Sequence, residues 1–260
     1  MTFIEIWLNG FILSMVLLTI LWAISVFLKN ASIIDPFWGF GFVVLAFYYL
    51  YITGNYSPRA VLLTALVTIW GARLSLYLLW RNSGHGEDYR YQQFRQDYGP
   101  ERYWWLSFFQ VFLLQGVLMS IVALPLLGTM MNANLDSLTL LDFIILTTWL
   151  VGFSFEAFGD YQLTKFKSDP NNKGKVLNTG FWKYTRHPNY FGDSAIWWSF
   201  GLFAIISGSY YVIVGPIVMN LLLLKVSGVS LLEKSLKKTK PLYADYIQKT
   251  NAFLPWFTKK

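Results

Sequence analysis

Seven long apolar runs constrain this chain more than any other feature of its sequence. Each is long enough to cross about 30 Å of hydrocarbon as a helix, and a helix satisfies its backbone hydrogen bonds within the span. The sequence therefore predicts an all-α, polytopic membrane bundle of about seven transmembrane helices. Only Gly208 and Ser209 separate the last two runs, so a re-entrant hairpin, with six spans in all, is the alternative. The runs cover 8–28, 37–53, 59–80, 106–131, 140–160, 190–207 and 210–227.

Lysine and arginine are unevenly distributed between these runs, which predicts the orientation of the chain. The first, third and fifth connections and the C-terminal tail carry one, four, six and eight of the 21 basic residues. In membrane proteins the excess of basic residues lies on the cytoplasmic side. The N-terminus is therefore predicted to lie outside and the C-terminus in the cytoplasm, as an odd number of spans requires.

Composition excludes several kinds of site. The chain has no cysteine, so thiolate nucleophiles, disulfides and iron–sulfur clusters are ruled out. Its two histidines, His85 and His187, have no zinc-binding spacing, and no metal site is expected. The basic residues that give the net charge of +7 flank the apolar runs instead of forming one basic surface, so no nucleic-acid partner is expected. No obligatory protein partner is evident. Without a repeat or linker, residues 1–260 are predicted to form one domain.

Ionisable groups inside spans are costly and usually face the bundle interior, where they mark function. Arg73 lies in the third run, and at 3.6 residues per turn Trp70, Tyr77 and Arg81 share its face. Asp35 precedes Pro36 at the start of the second run. A second polar stripe ends the fifth run. The alternative is that these groups form structural ion pairs between helices. The second stripe consists of Glu156, Asp160, Thr164 and Lys167.

The segment from Lys165 to Trp198 concentrates the most chemistry. Pro188 suits the first turn of a helix, so the sixth helix is predicted to begin near His187. Its N-terminus offers unpaired N–H groups to an anion, and nearby cations would add a phosphate pocket. Polar and aromatic side chains complete the predicted site. The cations are Lys165, Lys167 and Arg186; Asn189 and Asp193 would bind amides or hydroxyls, and Trp182 and Tyr184 would stack on a planar ring.

Residues Arg186–Asp193 read Arg-His-Pro-Asn-Tyr-Phe-Gly-Asp. This segment resembles the Arg-His-Pro-Asn-Tyr-x-Gly-Asp/Glu motif of the membrane steroid 5-alpha-reductase and sterol-reductase families. Over most of its length the chain looks most like their bacterial relatives of unassigned function, and its likeness to the characterised reductases covers about 155–257. The relatives share Phe155-Glu156, Asp160, Phe166-Lys167, Trp197-Trp198 and Leu231-Leu232-Glu233.

The resemblance implies that NADPH binds on the cytoplasmic side, in a bacterial inner membrane, and that hydride passes to a C=C bond of a lipid enone taken from the bilayer. Helices of 1–140 would line the lipid pocket and 141–260 would bind the cofactor. By motif match the cofactor contacts would be Asp160, Lys167, Arg186, Asn189, Asp193, Glu233 and Tyr246.

Two departures concern the steroid chemistry of those families. Trp70 stands where they carry a substrate-binding Tyr, and their Gln-Glu pair has no counterpart here. Hydride transfer to an enone builds negative charge on its oxygen, which requires a donor in a dry pocket. Asp35, Tyr77 and Arg73 are the candidate catalytic residues. The chain lacks a Gly-x-Gly-x-x-Gly turn, so the dinucleotide site is not of the Rossmann type.

Two other classes remain open. Membrane isoprenylcysteine methyltransferases carry a related Arg-His-Pro-x-Tyr-x-Gly motif and use S-adenosylmethionine. That cofactor has no phosphate, so the cluster of cations favours NADPH. A non-enzymatic lipid-binding protein would explain the polar stripes but not the motif.

Overall fold

A computed structural model describes residues 1–132, 137–226 and 228–258, and all regular structure in these ranges is helical. The predicted all-α class is confirmed. The predicted connection 132–139 lies partly outside the described residues. The helices are α1 (Phe3–Leu28), α2 (Ile34–Thr53), α3 (Pro58–Asn82), α4 (Tyr89–Tyr98), α5 (Pro100–Asn132), α6 (Leu140–Ser168), α7 (Pro188–Ile206), α8 (Tyr210–Val226), α9 (Val229–Thr239) and α10 (Tyr243–Lys249).

Within the described ranges, five helices are long and apolar enough to cross a membrane: α1, α2, α3, α5 and α6. Helices α7 and α8 cover residues 190–206 and 210–226 of the last two predicted runs, but they are not among these five, and α8 is short. A turn at Gly208, where φ is +88°, separates the two. The number of spans and the sidedness of the chain stay predictions.

The chain divides into two compact units. One comprises residues 1–138 and 204–214, and the other comprises 139–203 and 215–260. The sequence predicts one domain in which 1–140 lines a lipid pocket and 141–260 binds the cofactor. That assignment concerns function, and it stays a prediction.

In the first unit, α2 and α3 pack closely because glycines face each other at their crossing. A Cβ atom on Gly39 would lie 2.5 Å from the carbonyl oxygen of Gly71, and one on Gly71 would lie 2.6 Å from that of Gly39. Small residues allow helix backbones to approach in this way inside membranes. The fifth helix includes a π-helical stretch, Phe108–Leu113.

In the second unit, glycines again set the approach of two helices, α6 and α7. A Cβ on Gly192 would lie 2.4 Å from both the carbonyl oxygen of Gly152 and the backbone nitrogen of Glu156. One turn of α6 further on, Gly159 faces Pro188. Helix α7 begins at Pro188, as the sequence predicts. The helix ends that carry the motif are thus fixed against α6.

Candidate functional site

The segment 180–187 folds back onto α6 before α7 begins. Gly180 makes the turn with a φ of +59°. The backbone N–H of Phe181 donates to Oε1 of Gln162 at 3.0 Å, and the indole Nε1 of Trp182 donates to the carbonyl of Gly159 at 3.1 Å. Trp182 is buried, so it packs on α6, and its predicted stacking on a cofactor ring stays a prediction.

Arg186 is the centre of a buried hydrogen-bond network in the second unit. Its side chain is 7% exposed, and Nη2 and Nε lie 2.6 and 2.8 Å from Oε1 of Glu233 in α9. Nη1 donates to the carbonyls of Ile247, at 3.2 Å, and of Thr250. A guanidinium is suited to such a set because its donors form a rigid planar fork. In this arrangement Arg186 ties α9, α10 and the residue that follows α10 to the start of α7.

Glu233 contacts two side chains, those of Arg186 and His187. Besides Arg186, His187 lies with Nε2 3.4 Å from Oε1 of Glu233, and its ring stacks on Tyr190. Burial alone would raise the pKa of Glu233, but hydrogen bonds from His187 and Arg186, together with the charge of Arg186, hold that pKa below its usual 4.5. The carboxylate is therefore ionised at neutral pH.

This pairing predicts an acid-sensitive contribution to stability. A carboxyl whose pKa is lower in the folded state stabilises the fold above its unfolded pKa, near 4.5, and loses that contribution as the pH falls through the folded value. We expect the melting temperature of detergent-solubilised wild-type protein to fall below pH 4.5 more steeply than that of Glu233→Gln. Parallel curves for the two proteins would contradict the role of Glu233.

Residues 250–257, here called the C-terminal strap, lie along the segment 184–186. The backbone N–H of Arg186 donates to the carbonyl of Asn251 at 2.9 Å, and that of Trp256 donates to the carbonyl of Tyr184 at 2.9 Å. The hydroxyl of Thr185 donates to the carbonyls of Ala252 and Phe253 at 3.2 and 2.8 Å. The strap therefore pairs with the carbonyl of Tyr184, the N–H of Arg186 and the hydroxyl of Thr185.

Tyr246 holds the same region from α10. Its buried hydroxyl donates to the carbonyl of Trp182 and, at 3.4 Å, to that of Thr185. This hydrogen bond brings together Trp182 and Tyr246, two residues predicted to bind the cofactor, by a contact within the protein.

A second cluster of polar side chains lies between α6 and α7. Asn189 donates from Nδ2 to Oδ1 of Asp160 at 3.0 Å, and Asp160 is buried. Asp193 is half-buried one turn along α7. One and two turns beyond Asp160 on α6, Lys165 and Lys167 are exposed. The structure thus places Asp160 and Asn189 in contact and sets both lysines near the end of α6.

The candidate catalytic residues lie in the first unit. The guanidinium carbon of Arg73 lies 5.1 Å from the centre of the Tyr77 ring, and that of Arg81 lies 5.8 Å from it. The shared helical face expected from the spacing is therefore observed for Arg73, Tyr77 and Arg81. Both contacts have cation–π geometry, so the phenol is flanked by positive charge.

Asp35 is held by residues that its predicted role did not include. Arg90 Nη2 lies 2.9 Å from Oδ2 of Asp35, and the hydroxyl of Tyr91 donates to Oδ1 at 2.7 Å. Arg90 also pairs at 2.9 Å with Asp88, the N-cap of α4. The sequence signal for these partners is the arginine-rich connection after α3, which indicates topology but not pairing.

A family model described as "Protein of unknown function (DUF1295)" matches residues 21–250. A Schizosaccharomyces pombe protein named "Uncharacterized protein C594.04c" is 29% identical, in an alignment that covers 95% of this chain and 78% of that protein. No solved structure matches the chain.

The family match includes α2 to α10. It therefore covers both polar clusters of the second unit, the network around Arg186 and the hydrogen-bonded pair of Asp160 and Asn189. Its extent over most of the sequence makes the assignment independent of the Arg186–Asp193 motif alone. This chain belongs to the DUF1295 family.

Proposed function

We propose that this protein is an NADPH-dependent membrane reductase of a C=C bond in a steroid-like or other lipid enone. The observation that carries the proposal is the arrangement at the end of α6. The pair of buried Asp160 and half-buried Asn189 lies at the start of the motif helix α7, and two exposed cations follow on α6. The resemblance of Arg186–Asp193 to the reductase motif supports the same assignment.

The chemistry of these side chains fits a phosphorylated dinucleotide. Carboxylate and amide groups are suited to ribose hydroxyls and to the nicotinamide carboxamide, and lysine is a common phosphate ligand. We assign the amide and hydroxyl contacts to Asp160, Asn189 and Asp193. The phosphate contacts fall to Lys165 and Lys167. When bound, NADPH would supply the hydride.

The motif match implies that Arg186 contacts the cofactor, whereas in this proposal it positions other residues. A phosphate at its guanidinium would compete with the carboxylate of Glu233, which already lies 2.6 Å from Nη2. We therefore assign Arg186, Glu233, Trp182 and Tyr246 to holding the strap and α9 around the start of α7. They act on the cofactor by positioning the groups that touch it.

On the substrate side we favour Tyr77 as the donor to an enone oxygen. Positive charge from Arg73 and Arg81 next to its ring favours a hydrogen bond from the phenol toward developing negative charge. Asp35 is already held by Arg90 and by the hydroxyl of Tyr91, so we do not assign it the donor role. We place the nucleotide site on the cytoplasmic side, where basic segments collect.

A charge-matched pair of double variants tests the cofactor site. We expect Lys165→Ala/Lys167→Ala to weaken NADPH binding about tenfold or more, because each charge-assisted contact contributes on the order of 1 kcal/mol even when exposed. Lys173→Ala/Lys175→Ala removes the same charge from exposed positions in the next connection and should leave binding unchanged. Affinity is measured by nicotinamide fluorescence and thermal shift in nanodiscs.

The same titration separates the competing classes. Stabilisation by S-adenosylmethionine but not by NADPH would replace the reductase with a methyltransferase. Stabilisation by neither, with equal behaviour of the two double variants, would favour a non-enzymatic lipid-binding protein.

A further inference from the structure

The C-terminal strap presents apolar side chains outward, although its backbone is firmly bound. Leu254, Trp256 and Phe257 are 66%, 67% and 75% exposed. Hydrogen bonds to residues 184–186 fix the backbone of the strap, and Phe257 contacts Tyr184 edge-on at 6.4 Å between ring centres. Three neighbouring large apolar side chains in one fixed segment form a patch that usually marks an interaction surface.

Ring contacts locate the strap along α6. Phe253 of the strap lies 6.1 Å from Phe191, and Phe191 lies 5.1 Å from Phe155 of α6. Phe181, in the segment that binds the strap, stacks on Phe158 of α6 at 6.1 Å. The strap therefore lies beside the part of α6 that contains Phe155 and Phe158.

That part of α6 coincides with the expected edge of the hydrocarbon. The helix has 29 residues, or about 43 Å at ~1.5 Å per residue, whereas the hydrocarbon core is about 30 Å thick. About twenty residues counted from Leu140 reach just past Phe158. Lys165 and Lys167 follow, as lysines do at the headgroup level. The exposed side chains of the strap are consequently at the depth where tryptophan is enriched in membrane proteins.

Charge identifies the kind of lipid. Lys183 and Lys249 are exposed next to the strap, and Lys259 and Lys260 follow it in the sequence. The acidic residues of this region are Asp245, which is exposed, and Glu233, which is paired with Arg186. Basic residues interspersed with aromatic ones favour binding to anionic headgroups at a membrane surface.

We infer that the strap is an interfacial anchor, in which Leu254, Trp256 and Phe257 insert among lipid headgroups and the surrounding lysines select an anionic leaflet. Because the same strap supplies carbonyls to Arg186 and Thr185, lipid binding also stabilises the segment that precedes α7. The inference does not depend on the proposed reductase activity.

The absence of cysteine from the sequence allows a site-specific test. Phe257→Cys and Lys173→Cys are each labelled with an environment-sensitive fluorophore (NBD) and reconstituted in phosphatidylcholine vesicles with and without phosphatidylglycerol. Lys173, exposed in the connection between α6 and α7, is the control. We expect blue-shifted emission at position 257, quenching by lipids spin-labelled near the headgroup, and water-like emission at 173.

Phosphatidylglycerol should increase the quenching at position 257, and Lys183→Ala/Lys249→Ala should reduce that increase. Equal, water-like emission at both positions would overturn the anchor. A shift at 257 that follows protein density and is indifferent to lipid composition would assign the surface to a second copy of the chain and overturn it as well. Quenching without any effect of phosphatidylglycerol would overturn the selection of anionic lipid.

Discussion

Replacement of Arg186 by alanine should lower the free energy of unfolding by about 3–5 kcal/mol, the usual cost of removing one partner from a buried ion pair. The variant leaves the carboxylate of Glu233 without its closest cation and the carbonyls of Ile247 and Thr250 without a donor. Buried polar groups that lose their partners carry the full desolvation penalty. The change is measured by SDS unfolding in mixed micelles.

The loss should concentrate in the strap. Lys249 precedes it and offers a trypsin site, so cleavage there should accelerate in Arg186→Ala well before global unfolding. Arg102→Ala removes an exposed arginine and should change stability by no more than about 0.5 kcal/mol. Arg186→Lys keeps the charge but not the planar fork, and its stability should fall between those of wild type and alanine. Cleavage of Arg186→Ala at Lys249 at the same rate as wild type would refute the network.

The same variant distinguishes positioning from direct contact with the 2′-phosphate of NADPH. If Arg186 acts through the strap and α9, Arg186→Ala weakens NADPH and NADH by the same factor. Direct contact with the 2′-phosphate would weaken NADPH alone. A double-mutant cycle with Glu233→Gln should show a coupling energy of about 0.5–3 kcal/mol, as residues in one network do.

Local features of this structure follow from the sequence because their causes are local. The apolar runs predict helices because a helix closes its own hydrogen bonds, and Pro188 marks the start of α7 because its missing N–H costs nothing there. The contact of Arg73 with Tyr77 follows from helical periodicity, since residues four apart share a face.

The partners of the candidate residues do not follow from the sequence, because they are distant along the chain. Arg186 and Glu233 are 47 residues apart, and Arg90 and Asp35 are 55 apart. Each pair depends on how separate helices pack, and a charge pattern does not encode that. The strap cannot be predicted from the sequence either. Its contacts to Arg186 and Thr185 are made by backbone carbonyls, which every residue has.

Replacement of Gly192 by alanine should strongly disrupt the packing of α6 against α7 in the second unit. The added Cβ would lie 2.4 Å from two backbone atoms of α6, the oxygen of Gly152 and the nitrogen of Glu156. Backbone atoms of a helix cannot turn aside as a flexible side chain can, so α6 and α7 must separate. Overpacking of a core costs about 1–3 kcal/mol and occasionally more, and we expect the upper end.

The separation of α6 and α7 would also stretch the hydrogen bond between Asn189 and Asp160, which are held by the same two helices. We therefore expect Gly192→Ala to lose thermal stability and NADPH binding together, whereas Lys165→Ala/Lys167→Ala loses binding alone. Gly86→Ala is the matched control, because a Cβ there meets nothing within 4 Å. A Gly192→Ala protein that melts like wild type would contradict the close crossing of α6 and α7. Retained stability with lost binding would instead assign Gly192 to the cofactor, since the motif glycine would then be required for the ligand's approach and not for helix packing.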